Sequence, residues 1–292
     1  MITTVIRGGL GNQLFQYASA YALSKRMGQP LTLDISFFPK QTLRGYKLDK
    51  LKLADHRVTN GEDDGCLKRA YKDKNINGLI RRSPLKTLPV RKGKYLIDHA
   101  GSFTPEFFQI QAENVFLNGY FQSEEYFREV RENLLKQLQP AYEAEQDYND
   151  VLREVESDNT VAVHIRHGDF AHGDGSAYHF VLGVKYYERA IAEISKKVSN
   201  PTYFCFSDDI EWVKKNIGGT DDFHFVSLQT SHADIDEMML MKNCNHIITA
   251  NSTFSWWAAW LNDHEDAIRI VPDKAYGNNH MIPDGWIKTP VE

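Results

Sequence analysis

Cysteine is scarce. The 292-residue chain has three, Cys66, Cys205 and Cys244, an odd number at wide spacing. No disulfide framework can be read from them. Cysteines inside apolar runs behave as small hydrophobes, and a reduced, cytoplasmic setting is expected. Long hydrophobic runs are missing as well. No stretch reaches the roughly 18 apolar residues of a membrane span. No charged-then-apolar leader precedes the strand-like run that begins at Ile2, so neither a transmembrane anchor nor a signal peptide is expected. There is no Walker A sequence, no Gly-x-Ser-x-Gly elbow of a serine hydrolase, no repeat and no low-complexity tract. An excess of positive charge is absent too. With 34 Lys/Arg against 39 Asp/Glu the net charge is −5, which argues against a nucleic-acid binder.

What is present is enough apolar material, 42% hydrophobic and 12% aromatic, for a sizeable core. The length suits two domains of ordinary size or one large one. Ile2–Ile6 reads as a strand, Arg7-Gly8-Gly9-Leu10-Gly11-Asn12 as a turn, and the spacing of Leu14, Ala18, Tyr21 and Ala22 predicts a helix ending near Gly28 and Pro30. Leu31–Ile35 is the next strand, which completes a βαβ unit and implies a parallel sheet. Val115–Tyr120 resumes strand character, and the charged stretch 123–158 reads as helices. A second series follows, with strands at Thr160–Ile165, Pro201–Phe206 and His246–Ala250 and helices at 184–198, Ile235–Lys242 and 256–261. The expected fold class is therefore α/β with two Rossmann-like halves, 1–150 and 151–292. Within the first half, 60–95 lacks clear periodicity. It carries a basic block, ten Lys/Arg from Lys68 to Lys94 against Asp73 alone. Such a block suits either a solvated loop or contact with anionic head groups at a membrane surface.

Each strand of the second half runs into a polar cluster at its carboxyl end, where open α/β sheets bind ligands. His164, Arg166, His167 and Asp169 stand within six residues around Gly168. The planar fork of an arginine suits phosphate oxygens, and a plain turn with an Arg166–Asp169 ion pair is the competing reading. Gly8-Gly9-Leu10-Gly11 could approach a phosphate at a helix start, but it is not a dinucleotide fingerprint, since Leu14 stands where the third glycine belongs. Asn251-Ser252-Thr253-Phe254-Ser255 offers hydroxyls and an amide at a helix start, for capping by Asn251 or Ser252, for a phosphate, or for both. Trp256, Trp257 and Trp260 read as core. Asp234-Ile235-Asp236 matches the Asp-x-Asp metal pattern of some glycosyltransferases. The spacing of Asp234 and Glu237 reads instead as a capping box. His167, His172, His179, Asp169 and Asp174 match no compact ligand spacing, and no metal site is expected.

Taken together, Gly8–Ala18, Gly119–Ser123, His164–Phe170, Phe206–Asp209 and Ile248–Trp257 resemble, in family order, the α-1,2-fucosyltransferases of glycosyltransferase family 11 in their short bacterial form. The family pattern is His-x-Arg-Arg-Gly-Asp-Tyr. Here His167 replaces the second arginine and Phe170 the tyrosine. The resemblance implies a GT-B-like architecture, two Rossmann-like domains facing across a cleft, with an N-terminal acceptor-side domain and a C-terminal GDP-fucose-binding domain. It implies inverting transfer of L-fucose from GDP-β-L-fucose to the 2-hydroxyl of a terminal β-galactoside, without a cofactor or a required metal. The acceptor would be a galactose-terminated oligosaccharide or lipid-linked glycan, in bacterial O-antigen or other surface glycan synthesis, at the cytoplasmic face of the membrane. Arg166 would grip the diphosphate, with Asn12, His164, Ser252, Thr253, Phe254 and Ser255 as further donor-binding residues and Asp208 or Asp209 on guanine or ribose. Asp169 and His179 are the two candidates for the base. The alternatives are another GDP-sugar transferase of different linkage and a non-catalytic carbohydrate-binding protein.

Overall fold

The computed structural model describes residues 1–40, 45–61, 87–90, 93–97, 103–168, 181–217, 222–274 and 281–292. The chain divides into two compact units, Met1–Tyr142 with Asn278–Met281, and Glu143–Gly277 with Ile282–Glu292. Position 150, where the division was expected, lies inside the first helix of the second unit.

The first unit begins with β1 (Ile2–Val5), α1 (Leu10–Met27) and β2 (Leu31–Asp34), the βαβ unit read from the sequence. β1 and β2 pair in parallel, Ile2 with Leu31 through Val5 with Asp34. α1 ends where the sequence indicates. Gly28 adopts the left-handed conformation at φ 62°, Gln29 N–H donates to Ser24 O at 3.0 Å and Gly28 N–H to Lys25 O at 3.3 Å. This closure satisfies carbonyls that the helix end leaves open. Leu14, Phe15, Tyr17 and Ala18 are fully buried, and each large apolar side chain among them contributes about 1.5–3 kcal/mol by leaving water. β3 (Arg57–Thr59), β4 (Thr87–Val90), β5 (Gly93–Ile97) and β6 (Asn114–Asn118) complete the sheet in the order β3-β2-β1-β6-β5-β4. β4 alone runs antiparallel to its neighbour. Its Pro89 fits an edge strand, where a missing ladder donor is tolerated. After β6 comes α2 (Arg131–Gln137).

The second unit contains α3 (Gln146–Val155), β7 (Thr160–Ile165), α4 (Val184–Ser195), β8 (Thr202–Ser207), α5 (Ile210–Asn216), β9 (Phe223–Val226), α6 (Ala233–Asn243), β10 (His246–Ile248), α7 (Thr253–Leu261), β11 (Arg269–Pro272) and β12 (Ile287–Thr289). The strand order β9-β8-β7-β10-β11-β12, parallel throughout, is the doubly wound 3-2-1-4-5-6 arrangement. α4 turns Tyr186, Tyr187, Ala190 and Ile194 into a core with Val161, Val163, Cys205 and Ile248. Cys205 and Cys244 are buried thiols outside any disulfide. Trp256, Trp257 and Trp260 are core residues, as read from the sequence. The capping box expected at Asp234 is not formed. α6 starts earlier, with His232 at its N-cap position, and the Asp234 carboxylate accepts instead from Ile235 N–H.

Among the described residues no helix is long and apolar enough to cross a membrane.

Candidate functional site

In an open parallel sheet, neighbouring strands whose crossovers leave in opposite directions open a crevice at their carboxyl ends. In the second unit that point lies between β7 and β10. The loop after β7 carries Arg166, His167 and Gly168, and the turn after β10 carries Asn251, Ser252 and the start of α7. The sequence-expected residues His164, Arg166, Ser252, Thr253 and Phe254 are thus brought to one end of one sheet. His164 and Phe254 touch across it, with ring centroids 5.5 Å apart.

Ser252 caps α7, its hydroxyl accepting from Phe254 N–H at 3.3 Å. α7 therefore begins at Thr253, three residues before the expected start, and presents a first turn of N–H groups suited to an anion. Ser255 is fully buried. Its hydroxyl accepts from Ala250 N–H and donates to Ser252 O, so it holds the turn together. His164 is buried, and burial first, with Arg166 nearby, pushes its imidazole down to about 3. It is neutral in the physiological range, because a second positive charge beside Arg166 and away from water is costly.

The loop after β7 is fastened to the end of β8, because those strands finish in register, Ile165 beside Ser207. The Asp208 carboxylate accepts from His167 N–H at 2.9 Å and Gly168 N–H at 3.1 Å through Oδ1. Through Oδ2 it pairs with Arg166 Nε at 3.2 Å. A side chain at Gly168 would meet Asp208 O at 3.3 Å and the carboxylate at 3.4 Å, so glycine there lets the loop lie close against Asp208. Asp209 caps α5 by accepting from Trp212 N–H at 3.1 Å and holds His167 Nδ1 at 2.8 Å. A carboxylate only accepts, so Nδ1 carries the proton. The His167 ring also lies flat on Trp212, 4.2 Å between centroids and 15° between planes. Asp169 and His179, the expected base candidates, lie outside the described residues, as does most of the basic block.

The first unit has the corresponding point between β1 and β6. Gly8 sits at φ +81°, where a side chain would come within 3.0 Å of Asn12 Nδ2. The glutamines of α1 secure this turn. Gln13 Nε2 donates to Gly8 O and Gly45 O, each at 2.9 Å, and Gln16 Oε1 accepts from Arg7 N–H at 2.9 Å. Asn12 Oδ1 accepts from Gln122 Nε2 at 2.8 Å. Gln122 is delivered by Phe121, a buried residue in a left-handed conformation, φ 51°. A non-glycine residue rarely sits there unless its surroundings impose it, and Phe107 and Tyr126 pack on the Phe121 ring. Arg7 lies over the Tyr120 ring at 4.9 Å.

Sequence reasoning missed Arg7, Gln122 and Trp212, and it did not give Asp208 and Asp209 their role in holding the loop. All five depend on which strands lie side by side. A strand order of 3-2-1 starting from β7 would have placed 166–168 beside 208–209.

The sequence model of glycosyl transferase family 11 matches residues 91–287. This chain belongs to glycosyltransferase family 11. It is similar to the O-antigen biosynthesis glycosyltransferase WbnK of Escherichia coli, with 30% identity, 97% of this chain and 98% of that one covered. It is equally similar to an α-1,2-colitosyltransferase of Escherichia coli, 30% identical, with 99% and 98% covered. Among solved structures, the NodZ α-1,6-fucosyltransferase soaked with GDP-fucose matches with a TM-score of 0.52 at 15% identity, over 89% of this chain and 92% of that one. That likeness shows the fold, and with it the expected GT-B-like class of two Rossmann-like units. This family 11 enzyme is a glycosyltransferase, and its family motifs Gly8–Ala18, His164–Phe170 and Ile248–Trp257 begin at or beside the carboxyl ends of β1, β7 and β10.

Proposed function

We propose that this chain transfers L-fucose from GDP-β-L-fucose to the 2-hydroxyl of a terminal β-galactoside, with inversion, in the synthesis of O-antigen or another bacterial surface glycan. The observation that carries this reading is the fastened Arg166 loop facing the start of α7 at the switch point of the second sheet. The second unit is then the donor side and the first the acceptor side. The acceptor would be a galactose-terminated oligosaccharide or a lipid-linked glycan at the cytoplasmic membrane face.

As the C1–O bond of the donor lengthens, negative charge grows on the β-phosphate. Fixed donors aimed at it stabilise the transition state more than the ground state. Arg166 supplies a permanent cation, and the N–H groups at the start of α7, with Ser252 and Thr253, supply a preset dipole. Asn12 of the first unit, held by Gln122, is a further assigned donor contact. His164, neutral and buried, adds no charge that would compete with Arg166. Asp169 or His179 takes the proton of the acceptor hydroxyl, and the pH–rate profiles of Asp169→Asn and His179→Ala decide between them.

Metal has no part in this reading. Of the Asp234-Ile235-Asp236 pair, Asp236 is buried and accepts from the Thr230 hydroxyl, and Asp234 turns to the backbone at Ile235. Turnover is expected to persist in EDTA.

A second donor has an observation in its favour, the colitosyltransferase relative. Colitose is L-fucose without its 3-hydroxyl, so GDP-colitose would fill the same diphosphate site. The test is turnover of GDP-fucose and GDP-colitose against lactose and the two N-acetyllactosamine isomers, with product linkage by NMR. An α-1,2-fucosylated galactoside supports the proposal. Turnover of GDP-colitose alone replaces the donor, and a different linkage overturns the acceptor assignment.

A further inference from the structure

The end of β8 holds two adjacent carboxylates, and both are engaged by the loop that carries Arg166. We infer that Asp208 is a positioning residue, which fixes the plane of the Arg166 guanidinium and does not take the N1–H and N2–H edge of guanine. This rests on the reading of Arg166 as the diphosphate ligand.

Three donors of one loop converge on Asp208. Oδ1 takes two backbone N–H groups, from His167 and Gly168, at 2.9 and 3.1 Å. Oδ2 takes Arg166 Nε at 3.2 Å. A carboxylate oxygen has two acceptor directions, so Oδ1 is fully used. Recognition of the guanine N1–H and N2–H edge by one carboxylate needs an acceptor direction on each oxygen, which this geometry does not leave. Gly168 brings the loop against Asp208 so closely that a side chain would touch both its carbonyl and its carboxylate. Loop and acid therefore form one unit.

The use of Nε carries the consequence. A guanidinium is planar, and anchoring the Nε edge fixes the directions of both terminal amino groups. A flexible side chain would have to find that orientation anew in each catalytic cycle. A misplacement of about 1 Å in such a group can cost about a hundredfold in rate. Asp208 also offsets part of the positive charge of Arg166. It therefore weakens the pull on bound GDP while sharpening aim at the transition state. Its neighbour Asp209 fixes His167 against Trp212 in the same way, so the loop is held at two consecutive residues.

Asp208→Asn tests this, since the amide oxygen still accepts at Oδ1 while its NH2 cannot accept from Nε. The expected result is a fall in kcat of about 10- to 100-fold. The Kd for GDP should stay within about threefold or tighten, and the preference for GDP over IDP should be unchanged. In an Arg166→Lys background, Asp208→Asn should cost less than about twofold more, because the two residues act as one. Should Asp208→Asn lose its thermal transition, Asp208→Glu keeps the charge, displaces it, and is expected to show the same split between kcat and GDP affinity. Multiplicative losses in the double variant overturn the inference alone. Loss of the preference for GDP over IDP in Asp208→Asn does the same and makes Asp208 a base ligand. Near-normal turnover of Arg166→Lys overturns the assignment of Arg166 itself, and the inference with it.

Discussion

Each unit places an arginine just past its central strand, and the two are held in contrasting ways. Arg166 follows β7 and is pinned through Nε by Asp208. Arg7 follows β1 and lies over the Tyr120 ring, its Nε buried without a hydrogen-bond partner. Among the described residues it makes no ion pair. An ion pair with a loop-bound carboxylate fixes direction, because donor and acceptor atoms must line up. A cation over a ring face is attracted over a broad area and can slide. The difference teaches which arginine is built for aim. On the proposed reading the Arg166 site is the reacting centre, and the Arg7 site is a packed, tolerant edge.

The largest expected effect concerns that contrast directly. Arg166→Ala should lower turnover by about two to three powers of ten while the thermal transition stays in place, measured by initial rates and calorimetry on the same sample. A loss below tenfold would remove the distinction between the two arginines.

The second effect separates the units by pH. Burial shifts His164 and His246 downward and the half-buried Glu237 upward, and all three belong to the second unit. In the first, burial raises Tyr46 to about 12 and pushes Tyr17 higher still. Burial, with Asp234 and Asp236 nearby, raises Glu237 to about 7. Between its ordinary value and 7 the folded state holds more protons than the unfolded one, so this group costs stability increasingly as pH rises through that window. Glu237→Gln should therefore stabilise by about 1–3 kcal/mol at pH 8 and leave pH 4 unchanged. His164 works in the other direction. Its folded value near 3 lets the unfolded state take up the proton first, so stability falls as pH drops from about 6.5 towards 3. All five tryptophans lie in the second unit, so tryptophan fluorescence during urea unfolding at each pH reads both effects. An equal Glu237→Gln gain at pH 4 and 8 would refute the assignment.

Third, the His167 position should respond to shape more than to residue type. His167→Ala removes both the Asp209 contact and the Trp212 stacking and should cost roughly tenfold in kcat/KM, about 1.4 kcal/mol. His167→Arg restores the paired arginines of the family, and a guanidinium can also stack on Trp212 and pair with Asp209, so activity should stay within about threefold. Loss of activity in His167→Arg as deep as in His167→Ala would show that the imidazole itself is required.

The smallest effect belongs to Arg7. Arg7→Gln should destabilise by about 0.5–1 kcal/mol, the size of a partly exposed cation–π contact, and change kcat by less than about twofold. A loss matching that of Arg166→Ala would break the comparison.

Much of the fold was legible because its signals are local. The 160–165 strand was read with its observed bounds, and the end of α1 is written in Gly28, whose left-handed conformation stops the helix. The family motifs in the sequence begin at or beside the strand ends that carry the site. What could not be read depends on partners distant in sequence. β4 and β5 lie in a stretch without clear periodicity, and their pairing follows from the sheet edge they join. Ser252 and Asn251 were equal candidates for the cap of α7 until the helix start chose Ser252. Asp234 and Glu237 have capping-box spacing, yet the helix starts two residues earlier, with His232 at its N-cap position. The role of Asp208 was hidden for the same reason. It is some 40 residues from Arg166 in the chain and beside it only because β7 and β8 are neighbours in register.

The most direct test is a crystal structure of the chain with GDP. The account predicts β-phosphate oxygens within hydrogen-bond distance, about 2.7–3.2 Å, of the Arg166 guanidinium, beside the start of α7, with Asp208 still on Nε and away from the guanine. A diphosphate bound elsewhere, or a guanine seated on Asp208, would contradict it.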